Sequence, residues 1–197
     1  KHPIEPSELA PDAEPQTLLR DTWRGADGAV QAICSYVPES FRPDAAEAGF
    51  FAALGTLRLE KRIVVERDRL DVRYRLAPPA QGELRTALSI AMPSCDGFGG
   101  RSIHRGEILG GFGQSFDLSP VAGFVLDDRH MQGAIRLAID PPARLAVRPY
   151  HTVSQSEDGF ERIMQCVVLE VVWTLEGDQS ECRLTLRFEA DRGGSAS

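Results

Sequence analysis

Cysteine is scarce, with four in 197 residues at Cys34, Cys95, Cys166 and Cys182. Their spacing fits no zinc motif, and four are too few for a disulfide scaffold at this length. Cys166 and Cys182 fall on two segments that read as a hairpin turning at Gly177-Asp178, which puts them several residue pairs apart and out of bridging reach. Four free thiols are expected. Histidine is equally sparse: His2, His104, His130 and His151 stand at no metal-ligand spacing, so no metal is expected. No apolar run approaches the roughly 20 residues that cross a bilayer. Lys1-His2-Pro3-Ile4-Glu5-Pro6 lacks the apolar core of a signal peptide. No membrane partner is expected, and with unpaired thiols the reading is cytoplasmic. Positive charge is outnumbered, 22 Lys and Arg against 29 Asp and Glu for a net charge of -7, which disfavours nucleic acid as a partner. Neither Gly97-Phe98-Gly99-Gly100-Arg101-Ser102 nor Gly111-Phe112-Gly113-Gln114-Ser115-Phe116 matches a nucleotide-binding loop, so no cofactor is implied.

What the chain does have is alternation. Leu57, Leu59, Ile63 and Val65 alternate with Arg58, Glu60, Arg62 and Glu66, and Leu70, Val72, Tyr74 and Leu76 alternate with Asp71, Arg73 and Arg75. A period of two makes both stretches half-buried strands, with a turn at Glu66-Arg67-Asp68-Arg69. Leu84, Leu88, Ile90 and Met92 supply a third strand, and short strand candidates follow at 124–128, 133–139 and 144–148. Leu169, Val171, Trp173 and Leu175, then Leu184, Leu186 and Phe188, form the strongest pair, expected to lie antiparallel to each other. Asp44-Ala45-Ala46-Glu47 has the form of a capping box, so one short helix is expected up to Leu54. The glycine-rich residues 94–120 read as a long irregular loop, either the rim of a groove or a packed crossover. Residues 1–16, with four prolines among acidic residues, read as a linker or strap. Residues 17–192 read as one domain and 193–197 as a disordered tail. Parallel crossovers need helices that this chain lacks, so an all-β antiparallel sandwich is the expected fold.

The polar stretch at 150–165 stands apart from its apolar flanks and suggests a binding surface. Glu157 and Glu161 flank the Asp158-Gly159 turn. Two carboxylates on nearby loops are what glycoside hydrolysis needs, although turn carboxylates more often hold their own loop together. His104 or His151 with Glu157 would suffice for proton transfer on a sugar. Ser154 and Ser156 lack a nucleophile-elbow context and read as turn hydroxyls. Aromatics make up only 7% of the chain; Trp23, Phe98, Phe112, Tyr150 and Phe160 lie outside clear core positions and could stack on sugar rings, whereas Tyr74 and Trp173 alternate with core residues.

A resemblance adds to this reading. Leu59-Glu60-Lys61, Leu70-Asp71-Val72-Arg73-Tyr74-Arg75-Leu76, Ala87-Leu88-Ser89-Ile90-Ala91-Met92-Pro93 and Thr152-Val153-Ser154-Gln155-Ser156-Glu157-Asp158-Gly159-Phe160-Glu161, followed by Gln165 and Trp173, resemble the C-terminal β domain of family-57 glycoside hydrolases, the α-amylases and 4-α-glucanotransferases. The resemblance runs from about Leu57 to Glu189. It implies a large β super-sandwich similar to galactose mutarotase. In that family the catalytic carboxylates lie in an N-terminal (β/α) barrel with no counterpart here, so no catalytic residue carries over. The expected role is a non-catalytic, carbohydrate-associated domain that binds α-glucan or supports a catalytic barrel, with His151, Ser156, Glu157, Glu161 and Gln165 contacting sugar hydroxyls. The alternatives are an aldose-mutarotase-like enzyme with a histidine acid and Glu157 as base, and a purely structural or interface domain, which predicts an exposed apolar patch.

Overall fold

The computed structural model describes residues 17–95, 99–156 and 159–190. The proposed strap at 1–16, the tail at 193–197, Phe98, Glu157 and Asp158 lie outside them. The described chain is almost entirely antiparallel strand: β1 (Leu18–Gly25), β2 (Val30–Ile33), β3 (Val37–Arg42), β4 (Glu47–Leu54), β5 (Leu57–Val65), β6 (Arg69–Ala77), β7 (Gly82–Ile90), β8 (Gly100–His104), β9 (Glu107–Gly110), β10 (Phe116–Asp128), β11 (Gly133–Ser156), β12 (Gly159–Leu175) and β13 (Glu181–Ala190). One continuous ladder runs β2-β1-β7-β12-β11-β13-β6-β5-β4-β3, and β10 joins it through β11 and carries β8 and β9.

This ladder folds over on itself into two layers. The alternation of apolar and polar residues gives the reason: inward side chains from both layers need each other. Tyr74 of β6 meets Trp173 of β12 with ring centroids 6.0 Å apart, and Leu59, Leu88, Leu145, Val167 and Val171 are wholly buried beside them. Sheet I comprises β2, β1, β7, β12 and the C-terminal half of β11; sheet II comprises β3 to β6, β13, the N-terminal half of β11, β8 and β9. β11 belongs to both. Residues Gly133 to Asp140 pair with β13, the strand turns at Pro141 and Pro142, and Arg144 to Ser156 pair with β12. β10 follows it, pairing with both halves across register shifts at Val121. Proline cannot donate to a ladder, which makes the Pro141-Pro142 step the natural place for the corner.

Three expectations are corrected. The helix expected up to Leu54 is a single 3₁₀ turn at Pro43–Ala45, after which β4 is fully strand between β3 and β5. β5 pairs along all of 47–54 and β3 along 47–51, and the Phe50-Phe51 pair suits a pleated surface, so tertiary pairing overrides local helix propensity. Second, β12 and β13 do not pair with each other; β11 lies between them, and residues 176–180 carry the chain from sheet I to sheet II. Third, residues 99–120 of the glycine-rich stretch are not an irregular loop but form the β8–β9 hairpin and the start of β10, with Phe112 buried beneath them.

A polar cluster joins the layers. Asp21 of β1 is fully buried and accepts from Tyr36 (2.6 Å), Lys61 (2.7 Å), Tyr74 (2.8 Å) and Thr86 (2.5 Å). Lys61 donates also to the Leu19 carbonyl at 3.1 Å and stacks over the Tyr36 ring at 4.9 Å. Burial, reinforced by the Asp21 charge, pushes both tyrosine hydroxyls well above their ordinary pKa. They therefore stay protonated and donate. All four cysteines are free.

Candidate functional site

The stretch at 150–165 is not a loop laid over a scaffold. β11 and β12 run through it as one hairpin in which Thr152 faces Ile163, Ser154 faces Glu161 and Ser156 faces Gly159. The register slips where Tyr150 pairs with Cys166 but His151 pairs with Met164, leaving Gln165 as the extra residue of a β-bulge. Bulges of this kind re-aim a side chain, and Gln165 is exposed. His151 is half-buried, its Nδ1 3.3 Å from Arg162 Nη2. Glu161 is exposed on the same arm, Ser156 sits in the ladder next to the turn, and Glu157 is outside the described residues. The hairpin thus collects His151, Ser156, Glu161 and Gln165 on one projecting element. His104 is elsewhere, at the end of β8, with its Nδ1 3.0 Å from the Gly123 carbonyl. Of the candidate stacking aromatics, Trp23 and Phe112 are core residues, and Phe160 is half-exposed at 51% beside the hairpin turn.

A larger concavity lies on the outward face of sheet II. It is a groove of about 810 Å³, floored by β11, β13 and β6 and walled by β10 and the β8–β9 turn. Because inward positions hold Leu137, Ile139, Leu184, Leu186, Val72 and Tyr74, the alternate positions must point out. Arg136 and Asp140 of β11, Arg183, Thr185 and Arg187 of β13, and Arg69 of β6 therefore line the groove, with His104 and Arg105 on its wall. Asp71, only 4% exposed, sits beneath them: it accepts from Arg183 at 2.9 Å and Thr185 at 2.5 Å and pairs with Arg69 at 2.9 Å. Burial works to raise the Asp71 carboxyl, but the Thr185 hydroxyl and the two guanidiniums outweigh it and hold it below the usual carboxylate value. A second groove of about 620 Å³ continues along the same face past Arg73, Arg75, Glu60 and Glu39, sharing Asp140 and Arg183 with the first. Of the hairpin candidates whose side chains are described, His151, Glu161 and Gln165, none lines either groove. Sequence reading passed over these arginines as ordinary solvated positions; the signal was their repetition at every fourth residue, Arg69 and Arg73, then Arg183 and Arg187.

Chemically, the groove offers rigid planar donors aimed outward, able to bind anions or sugar hydroxyls. Among the described residues no cluster of three or more His, Cys, Asp or Glu side chains is placed to hold a metal ion. His104 and Asp140 line the same groove, whereas His151 lies on the hairpin.

A family model described as "Alpha-amylase/4-alpha-glucanotransferase, C-terminal" matches residues 1–187. No curated protein matches the chain. Among solved structures, the fold is similar to 4-alpha-glucanotransferase from Thermococcus litoralis, with a TM-score of 0.61 and 19% identity over 95% of this chain and 30% of that one. It is similar to Slr1438 from Synechocystis sp. PCC 6803, with a TM-score of 0.58 and 8% identity over 88% of this chain and 75% of that one. It is similar also to a putative aldose 1-epimerase from Escherichia coli K12, with a TM-score of 0.54 and 10% identity over 89% and 82%. The chain spans about 30% of the length of the glucanotransferase it matches.

Proposed function

This chain belongs to the α-amylase/4-α-glucanotransferase C-terminal family, and we propose that it is a carbohydrate-associated accessory domain of a glucan-processing enzyme, holding saccharide on the outward face of sheet II. The observation that carries this reading is the 810 Å³ groove, which falls within the volume that small-molecule sites occupy and suits one or two sugar units. Its floor is built on strands rather than loops, so the Arg183 donor and the Thr185 hydroxyl, which donates to Asp71 and can accept from a sugar, are held in position before any ligand arrives. The β11–β12 hairpin is the second element of the proposal. His151, Ser156, Glu157, Glu161 and Gln165 are its polar contacts, to a longer α-glucan or to a catalytic (β/α) barrel seated against the domain. The domain carries no catalysis of its own in this reading.

The test is calorimetric titration of the 197-residue chain with maltooligosaccharides, alongside Thr185→Val, which removes a groove hydroxyl, and Glu161→Ala, which removes a hairpin carboxylate. Saturable binding that Thr185→Val weakens supports the groove; weakening by Glu161→Ala extends the site to the hairpin. Absence of any saccharide binding at millimolar concentration defeats the binding role and favours structural support of a catalytic domain.

A further inference from the structure

The outward face of sheet II has a charge pattern that folding alone does not favour. Strand register places Arg136 of β11 opposite Arg187 of β13, and Arg187 opposite Arg69 of β6. Four residues further along, Arg183 of β13 stands opposite Arg73 of β6, and Arg73 opposite Arg62 of β5. These are two parallel rows of three arginines, with strands about 4.8 Å apart and rows about 13 Å apart, the Asp71–Thr185 pair lying between them. Like charges directly opposite each other in antiparallel strands are destabilising, and here they accumulate in a chain whose net charge is -7. Nearby carboxylates pair with four of the six, Glu66 among them at 2.6 Å from Arg69. Asp71 serves Arg69 and Arg183, Glu189 pairs with Arg136 at 2.6 Å, and Glu47 lies 3.5 Å from Arg62. Arg73 and Arg187 have no ion pair among the described residues, and Arg183 Nε is buried with no hydrogen-bond partner.

The wall adds a second observation. Arg105 and Gly106 form the two-residue β8–β9 turn with φ of 51° and 82°, the left-handed pair of a type I′ hairpin. That first position favours Asn, Asp or Gly, so an arginine there carries backbone strain, which is a mark of functional positions. Arg105 lines the same groove as Arg69, Arg136, Arg183 and Arg187, whose lining includes a single carboxylate residue, Asp140.

We propose that this groove takes an anionic sugar, a saccharide bearing a phosphate or carboxylate, with the unpaired Arg187 and Arg105 receiving the anionic group and the Asp140 and Thr185 end receiving hydroxyls. The proposal rests on the saccharide-binding reading of the same groove and names its ligand class. Guanidinium is the side chain suited to planar, bidentate recognition of phosphate and carboxylate. A neutral glucan gives such a lattice nothing to neutralise. The groove is concave and of small-molecule size, which favours a sugar over the flat acidic surface of a protein.

The experiment titrates the chain at 50 mM and 500 mM KCl with glucose 6-phosphate, glucuronate, maltose, inorganic phosphate and polyglutamate, and repeats it with Arg187→Thr and Arg105→Gly. Glycine suits the left-handed turn, so Arg105→Gly keeps the fold, and urea unfolding verifies it for both variants. The proposal expects one charged sugar to bind at least about tenfold more tightly than maltose and than inorganic phosphate, with the advantage shrinking at high salt and falling about tenfold in each variant. Which charged sugar wins separates phosphate from carboxylate. Equal, salt-insensitive binding of maltose and the charged sugars overturns this inference and leaves the saccharide-binding reading standing. Inorganic phosphate binding as tightly as the phosphosugar overturns it as a bare anion site. Polyglutamate binding alone overturns it in favour of an acidic protein partner, and failure of every sugar defeats both readings.

Discussion

On the inner face of β5 and β6, Lys61 and Tyr74 converge on Asp21, and each charge has a partner of opposite sign within 2.7 Å and a hydroxyl beside it. On the outer face of the same two strands, Arg62 stands opposite Arg73, and Arg73 opposite Arg183. One strand pair therefore handles charge in two ways. Inside, polarity is matched group by group, as burial demands, because an unpaired buried charge costs several kcal/mol. Outside, the strands juxtapose like charges where water makes the repulsion tolerable. The first arrangement serves the fold; the second is the kind that a ligand completes.

The largest effect that would sharpen this contrast is on the inner face. Lys61→Met leaves Asp21 buried with its charge uncompensated, and urea unfolding should show a loss of about 3–5 kcal/mol. The double variant Asp21→Leu with Lys61→Met should recover much of that loss, since removing both charges removes the mismatch. A single-variant loss below about 1 kcal/mol would mean that the network does not hold the layers together.

Acid separates the regions next. Asp128 is wholly buried and accepts from the Ser94 hydroxyl at 2.6 Å and from the backbone of Ser94, His130 and Met131. Burial alone would raise its carboxyl, but the Ser94 hydroxyl and these N–H donors lower it below the ordinary 3.8. A depressed native value contributes stability above the unfolded pKa, and that contribution is lost as pH falls through the native value. Asp71 behaves in the same direction. Asp128→Asn should cost about 1–3 kcal/mol at pH 7, and its melting temperature should approach that of the unaltered chain as pH falls below the ordinary carboxylate range. A constant gap over that range would exclude Asp128 as an acid-sensitive tie.

The smallest effect lies on the outer face. Arg73→Thr or Arg187→Thr replaces one member of a like-charged pair by a good strand former, and stability should hold or rise by about 0.2–1 kcal/mol. A loss of about 2 kcal/mol or more in urea unfolding, well outside that range, would show that these arginines are part of the fold, and the two faces would no longer differ.

Much of the sandwich was legible because alternation reports burial residue by residue. β5, β6, β7, β12 and β13 bury most of the residues their period predicts, Leu59, Val72, Leu88, Leu169 and Leu184 among them, while Val65 and Phe188 at the strand ends are exposed. Alternation says which face a residue takes but not which strand lies alongside. That is why β12 and β13 looked like partners, and why β11 looked like separate short strands when it is one strand cornered at Pro141 and Pro142. The Thr152 to Gln165 motif was visible as a polar anomaly, yet whether it was loop or hairpin depended on pairing across Asp158-Gly159. The arginine rows were less legible still. Each arginine reads as an ordinary outward position within its own strand, and only the register of four strands brings Arg136, Arg187 and Arg69, or Arg183, Arg73 and Arg62, side by side.

Position in the sheet makes one strand a seam. β3 to β6 form a consecutive meander on one side of sheet II, and β8 to β11 form the other, but among the described strands only β13 is hydrogen-bonded to both. Residues 181–190 follow all of these in the chain, so what joins the two halves in one ladder comes from its last described strand. One arginine row, Arg136–Arg187–Arg69, crosses that seam, and the other starts on it at Arg183. The charged trough therefore depends on a single strand, which supplies an arginine to each row while it joins the halves into one surface.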